Sequence, residues 1–180
     1  MKTYVALFRG INVGGRHALP MKELRLVLEE AGCVDVQTYI QSGNVIFRSA
    51  IADAARLSQH LTAAVSRSHG FEPRVFVRTL AELEKAAAGN PFPEADENPK
   101  SLHVFFLAER AKKPDLESLG ALKTSTERFA LKGDIFYLHT PDGFGTSKLA
   151  ERAERLLGVD ATARNWRTVK TLLAMAKDSR

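Results

Sequence analysis

The sequence contains one cysteine, Cys33, and no long apolar run. A single cysteine cannot form a disulfide within the chain, which fits a reducing compartment. No stretch approaches the roughly 20 apolar residues of a membrane-spanning helix. The first residues, Met1–Tyr4, lack the apolar region and cleavage site of a signal peptide. These absences predict a cytoplasmic protein that makes no contact with a membrane.

The residue patterns typical of a cofactor site or a reaction are also missing. The histidines show no metal-ligand spacing, so we predict neither a metal nor a cofactor. Glycines at positions 10, 14 and 15 do not fit the dinucleotide pattern Gly-x-Gly-x-x-Gly. They come closer to a phosphate-binding loop, but Arg16 and His17 replace its lysine and its hydroxyl residue. Catalytic residues therefore remain unassigned.

Basic residues moderately outnumber acidic ones. The formal net charge of +5 favours anionic partners, nucleic acid among them, through long-range attraction. Charge alone does not amount to a nucleic-acid footprint, because a basic surface is common. The length of 180 residues is enough for one good core or two small subdomains.

Hydrophobic periodicity divides the first half of the chain into alternating strands and helices. The predicted elements are strand 3–9, a helix between Pro20 and Gly32, strands 34–40 and 44–48, helix 53–69, strand 73–79 and a short helix 80–88. This β-α-β-β-α-β order is typical of the ferredoxin-like arrangement, and the fold class is therefore predicted as α+β. Right-handed crossovers then bring the Gly10–Leu19 loop, the Gln41–Gly43 turn and the Ser68–Phe71 loop to one end of the sheet.

The second half repeats much of this order after a proline-rich stretch. Its predicted elements are strand 102–108, helix 114–122, a hairpin of strands 127–132 and 135–139, helix 149–157 and a C-terminal helix, with no visible closing strand. This order predicts a second α+β subdomain. Whether that subdomain arose by duplication of the first half is left open by the sequence. The predicted organisation is a subdomain at 1–88, a linker at 89–101 and a second subdomain at 102–180.

The glycine-rich loop and the polar turn supply the candidate ligand-binding residues. Glycine allows close backbone approach to a ligand, arginine supplies charge and a hydrogen-bond fork, and Asn, Gln and Ser supply orientation. The predicted residues at this end are Arg9, Gly10, Asn12, Gly14, Gly15, Arg16, Gln41, Ser42, Gly43 and Asn44. A further candidate group is Arg164, Asn165 and Trp166, in which the indole either stacks on a ligand or anchors the terminal helix.

Three of these stretches resemble a known bacterial family, the domain-of-unknown-function 1697 family. They are residues 6–15 (ALFRGINVGG), 39–47 (YIQSGNVIF) and 162–169 (TARNWRTV). The resemblance extends over essentially the whole chain. It implies a small cytoplasmic α+β protein with ferredoxin-like subdomains, and it brings with it no established activity and no catalytic residues.

The leading hypothesis is a protein that binds an anionic ligand, either nucleic acid or a phosphorylated small molecule, at the glycine-rich end. One alternative is an enzyme acting on a phosphorylated or nucleotide-like substrate in the same pocket, with His17 or His69 as the proton carrier. Another alternative is a protein–protein adaptor, which needs none of these residues. The oligomeric state is left open.

Overall fold

The computed structural model describes residues Met1–Ser179, which form two compact units. The first unit comprises Met1–Lys85 and the C-terminal residues from Thr171, and the second comprises Ala86–Lys170. The described residues form a mixed α+β structure with six helices and two four-stranded antiparallel sheets. None of these helices is long and apolar enough to cross a membrane. The boundaries drawn from the sequence at 1–88, 89–101 and 102–180 remain a prediction.

The first unit contains four strands and the helices that connect them. They are β1 (Lys2–Arg9), α1 (Met21–Glu30), β2 (Val34–Tyr39), β3 (Asn44–Ser49), α2 (Ala54–His69) and β4 (Arg74–Thr79), followed by the first residues of α3 (Leu80–Ala88). The strand order across the sheet is β2-β3-β1-β4. Helix α2 begins where the Asp53 carboxylate accepts a hydrogen bond from the Arg56 amide, and it ends at Gly70 with φ of 75°.

Alternation along β1 determines which residues build the core of this unit. Tyr4, Ala6 and Phe8 point to the same face and pack with buried leucines of α1 and α2. Cys33 lies in this core and is 3% exposed. Burial raises the pKa of the Cys33 thiol to about 11, so it remains an unreactive thiol at neutral pH.

The second unit begins with two short 3-10 turns and continues with its own sheet. Its elements are the turns Pro93–Asp96 and Pro99–Ser101, β5 (Leu102–Leu107), α4 (Leu116–Leu122), β6 (Arg128–Lys132), β7 (Ile135–His139), α5 (Lys148–Leu157), β8 (Ala161–Asn165) and the first residues of α6 (Trp166–Asp178). The strand order is β6-β7-β5-β8. Strands β6 and β7 meet through Gly133 and Asp134, as the sequence predicts.

Strand β8 is the element that the sequence pattern does not predict. It pairs antiparallel with β5 from Ala161 to Asn165, and it therefore closes the second sheet. Its residues Ala-Thr-Ala-Arg-Asn contain no large apolar side chain. Pairing with β5, rather than local propensity, accounts for this strand.

Candidate functional site

The Gly10–Leu19 loop is an ordered miniature hairpin. The Arg16 amide donates to the Val13 carbonyl at 3.1 Å, and the two intervening glycines have positive φ of 58° and 72°. Positive φ at both central residues is the signature of the tight turn that connects antiparallel strands. A second backbone bond, from the Asn12 amide to the His17 carbonyl at 3.1 Å, extends the hairpin. The glycines therefore determine the shape of the loop.

The side chain of Asn12 attaches this hairpin to the rest of the first unit. Its Nδ2 donates to the carbonyls of Leu19 at 2.8 Å and Gln41 at 3.0 Å. Its Oδ1 accepts from the Leu19 amide at 2.7 Å. These bonds use both amide hydrogens and the carbonyl oxygen of the side chain. Asn12 thus joins the glycine-rich loop to the β2–β3 turn.

The turn itself is held against β1. The Phe8 amide donates to the Gly43 carbonyl at 2.8 Å. Asn44 is fully buried, and its Nδ2 donates to the Tyr39 carbonyl and to Ser42 Oγ, both at 3.2 Å. The loop and the turn therefore lie at the same end of the sheet, which confirms the arrangement expected from the strand order.

The Ser68–Phe71 loop, the third segment predicted at this end, completes an open pocket of the first unit. The pocket has a volume of about 430 Å³ and is lined by Arg16, His17, Ala18, His69 and Phe71. We call it the His17 pocket. Its lining combines the C-terminal side of the glycine-rich loop with the residues at the end of α2. Two segments that are distant in sequence therefore line the pocket, and no residue of the Gln41–Gly43 turn is part of its lining.

Two side chains of the loop, those of Arg16 and His17, make no polar contact with the described part of the chain. Among residues 1–179, the Arg16 guanidinium makes no hydrogen bond or ion pair, and neither ring nitrogen of His17 makes a hydrogen bond. The His17 ring stands edge-on to Phe71, with ring centroids 4.5 Å apart. His17 also has φ of 54°, an unusual conformation for a residue with a side chain. The strained backbone and the aromatic contact together orient the imidazole.

The other imidazole, that of His69, is already engaged on both sides. Its Nε2 lies 2.8 Å from Glu23 Oε2, and its Nδ1 lies 2.8 Å from Ser68 Oγ. When the ring is protonated, Nε2 donates to the carboxylate and forms an ion pair between α2 and α1. His69 therefore forms a fixed wall of the pocket.

The Glu23–His69–Ser68 chain has the order of a catalytic triad, but its serine is placed differently. The Ser68 hydroxyl also donates to the carbonyls of Ala64 at 3.1 Å and Val65 at 3.2 Å. Such bonds to the preceding turn are typical of serine near a helix terminus. Ser68 thus orients the imidazole, and the geometry does not single it out as a nucleophile.

Arg9 lies outside the lining of the His17 pocket. By alternation along β1 it belongs to the face of Val5 and Leu7, opposite the face that packs on the helices. Its position in β1 pairs with Arg74 in β4. Arg16, rather than Arg9, is the arginine that the structure places at the pocket.

The remaining predicted residues lie in or next to β8, and each has contacts within the second unit. The indole Nε1 of Trp166 donates to Asp96 at 2.7 Å, and this bond helps to lower the pKa of the Asp96 carboxyl. Asn165 caps α6 by accepting from the Thr168 amide at 2.9 Å. Arg164 donates to Thr162 Oγ1 at 2.6 Å, and burial lowers its pKa to about 10. These contacts anchor α6 and β8.

The structure adds pocket residues that the sequence hypotheses did not include. Ala18 and Phe71 line the pocket and come from segments predicted to lie nearby, whereas Glu23 lies outside the lining and contacts His69; no local motif marks any of the three. His17 and His69, the two proton carriers that the enzyme alternative predicts, both line the pocket. Within residues 1–179 no group of three His, Cys, Asp or Glu side chains is arranged to hold a metal ion.

The architecture defines a protein of two α+β units, each with a four-stranded antiparallel sheet, and an open basic pocket in the first. Residues 1–137 match the family described as "Protein of unknown function (DUF1697)", and the chain belongs to this family. A comparison with curated proteins finds no match. A solved structure, the conserved bacterial protein SP0830 from Streptococcus pneumoniae, is similar at a TM-score of 0.69 and 24% identity over 97% of this chain and 98% of that one. This similarity concerns the fold alone.

Proposed function

We propose that this protein binds a small phosphorylated ligand in the His17 pocket. The observation that carries the proposal is the Arg16 guanidinium, which has no partner among the described residues and stands beside two imidazoles. Guanidinium and imidazolium groups are the donors that phosphate oxygens prefer in proteins. The pocket volume of about 430 Å³ falls within the range of small-molecule sites. Phe71 offers an apolar wall for the organic part of the ligand.

A small ligand fits these observations better than a nucleic acid does. The cationic groups converge on one pocket, whereas a polynucleotide requires a basic track along its backbone. An enzyme acting in the same pocket is the alternative, and His17 would be its proton carrier because its ring nitrogens are not engaged within the described residues. An adaptor role would leave the pocket without a function.

Replacing Arg16 by alanine tests the proposed function. Loss of one charge-assisted hydrogen bond is worth about 1.5–3 kcal/mol, so the Arg16→Ala variant should bind phenyl phosphate roughly ten- to a hundredfold more weakly. Isothermal titration calorimetry at low salt measures this change. A labelled single-stranded oligonucleotide, titrated in parallel by fluorescence anisotropy, tests the nucleic-acid hypothesis.

The matched control is Arg25→Ala. Arg25 is an exposed arginine of the same unit that pairs with Glu29 within α1, away from the pocket lining. Its removal changes the net charge equally and should leave the affinity unchanged. Equal losses in both variants would show that general charge, and not the pocket, attracts the ligand. If the oligonucleotide binds tightly and phenyl phosphate does not, the ligand is a nucleic acid and the small-ligand proposal is wrong.

We also propose a finer description of the fold and the cellular location. Both units follow the order β-α-β-β-α-β, and both sheets place the first strand between the third and the fourth. This common order supports two ferredoxin-like subdomains that arose by duplication. The single buried thiol supports a cytoplasmic location, since the chain has no second cysteine for a disulfide.

A further inference from the structure

Flat side chains make up most of the lining of the His17 pocket. Three of its lining residues carry rings, namely His17, His69 and Phe71. The His17 side chain is exposed, and those of His69 and Phe71 are half-buried. A fourth lining residue, Arg16, ends in a planar guanidinium, which stacks on aromatic faces. Ala18 is the one aliphatic residue among those that line this pocket.

The rings are held in fixed orientations before any ligand binds. The His69 ring is bonded at both nitrogens, to Glu23 and to Ser68, each at 2.8 Å. Such bonds lie in the plane of the ring and do not occupy its faces. The rings of His17 and Phe71 meet at 85° with centroids 4.5 Å apart, so one of the two rings contributes only its edge to this contact. Because the rings are already ordered, a ligand that packs on them loses little free energy in ordering them.

We infer that the ligand of the His17 pocket is a phosphate monoester that carries a planar aromatic or heteroaromatic ring beside its phosphoryl group. The inference rests on the proposed function and specifies the class of the ligand. Arg16 binds the phosphoryl oxygens, and the rings of the lining pack on the ring of the ligand. Contacts between aromatic rings contribute more than the apolar area they bury, and a saturated ring of the same size does not make them.

A comparison of two ligands that differ in their ring tests this inference. Isothermal titration calorimetry on the full chain at pH 7.5 measures the affinities for phenyl phosphate and for cyclohexyl phosphate. Both are dianions above a second pKa of about 6. The cyclohexyl group has at least as much apolar surface as the phenyl group, so burial of area alone would favour it. The wild type should nevertheless bind phenyl phosphate roughly three- to tenfold more tightly.

A second pair of ligands shows where the ring stands relative to the phosphoryl group. Uridine 5′-monophosphate carries a planar ring on a sugar, and ribose 5-phosphate lacks that ring. A larger preference for the ring in this pair than in the first would identify the ligand as a nucleotide. A larger preference in the first pair would identify it as an aryl phosphate, with the ring bonded directly to the phosphoryl oxygen.

The Phe71→Leu variant assigns the preference to the pocket. Leucine keeps an apolar side chain where Phe71 packs against the core of the first unit, but it removes the ring. The ratio of the phenyl phosphate affinity to the cyclohexyl phosphate affinity should therefore fall towards one. This ratio is insensitive to a partial loss of folded protein, because a smaller binding-competent fraction lowers both affinities equally.

The matched control is Phe144→Leu in the second unit. Phe144 is also half-buried and also packs on a histidine, with its ring centroid 3.7 Å from that of His103. Its replacement removes a comparable ring that does not line the His17 pocket. The ratio of the two affinities should stay at the wild-type value.

The outcomes separate the inference from the proposed function. Equal affinities within both pairs would overturn the inference and leave phosphate binding in place. A preference that Phe71→Leu does not change, or that both variants reduce equally, would also overturn it, because the rings of the pocket would then not be its source. Absence of binding of all four ligands would refute the proposed function and the inference together.

Discussion

Replacing Gly43 by alanine should destabilise the protein by on the order of 3 kcal/mol or more. A Cβ at this position would lie 2.7 Å from Cβ of Phe8 and 2.9 Å from Cδ1 of Ile11, closer than real contacts allow. The Phe8 atom is fixed by β1 and cannot easily move away. Gly43 also has φ of 75°, which disfavours any residue with a side chain. Urea unfolding of the variant measures the loss.

The Gly14→Ala variant separates the steric effect from the conformational one. Gly14 has a similar φ of 58°, but a Cβ there would meet nothing within 4 Å. It should therefore lose only the roughly 1–2 kcal/mol that the left-handed conformation costs. Equal losses at Gly43 and Gly14 would contradict the close contact between the β2–β3 turn and β1. The contact matters because this turn also holds the Asn12 anchor of the glycine-rich loop.

Acidification should destabilise the second unit through His103. This ring stacks on Phe144 with centroids 3.7 Å apart, and its Nδ1 is buried without a hydrogen-bond partner among residues 1–179. Burial lowers the pKa of His103 from 6.5 to about 4. The unfolded chain therefore binds this proton first as the pH falls, and the stabilisation present above pH 6.5 is lost between pH 6.5 and 4. The expected loss at pH 4.5 is about 2 kcal/mol.

The His103→Gln variant identifies the source of this loss. Its unfolding free energy should be lower than that of the wild type at pH 7, because the stacked ring is removed. Its decrease from pH 7 to 4.5 should nevertheless be smaller by about 2 kcal/mol, since the carboxylates contribute equally to both proteins. His17→Gln, at an exposed position, controls for the removal of an imidazole. Parallel curves for all three proteins would contradict the buried neutral state of His103.

Strong periodicity explains why most elements could be predicted from the sequence. Helix α2 begins after an Asp53 cap and ends at Gly70, and both signals are visible in the chain. The order of elements was then enough to predict that the loop, the turn and the end of α2 would converge. Strand β8 could not be predicted in this way, because its small and polar residues become a strand only through pairing with β5.

The sequence predicted which segments share one end of the first sheet, but not which side chains line a pocket there: of the predicted ligand-binding residues, Arg16 is in the lining. Polar residues in turns serve either a ligand or the backbone, and the sequence does not distinguish the two uses. The structure shows the side chains of Asn12 and Asn44 bonded to backbone carbonyls. Glu23 carries no motif, and its contact with His69 depends on how α1 and α2 pack. The roles of all predicted site residues in binding stay predictions.

Amide chemical shifts of the full chain during titration with phenyl phosphate at pH 6.5 test the central claim most directly. The largest changes should map to Arg16, His17, Ala18, His69 and Phe71, the lining of the pocket. The histidine side-chain signals of His17 and His69 should move in the same titration. Changes confined to the second unit, or no saturable change anywhere, would contradict a phosphate site in the His17 pocket.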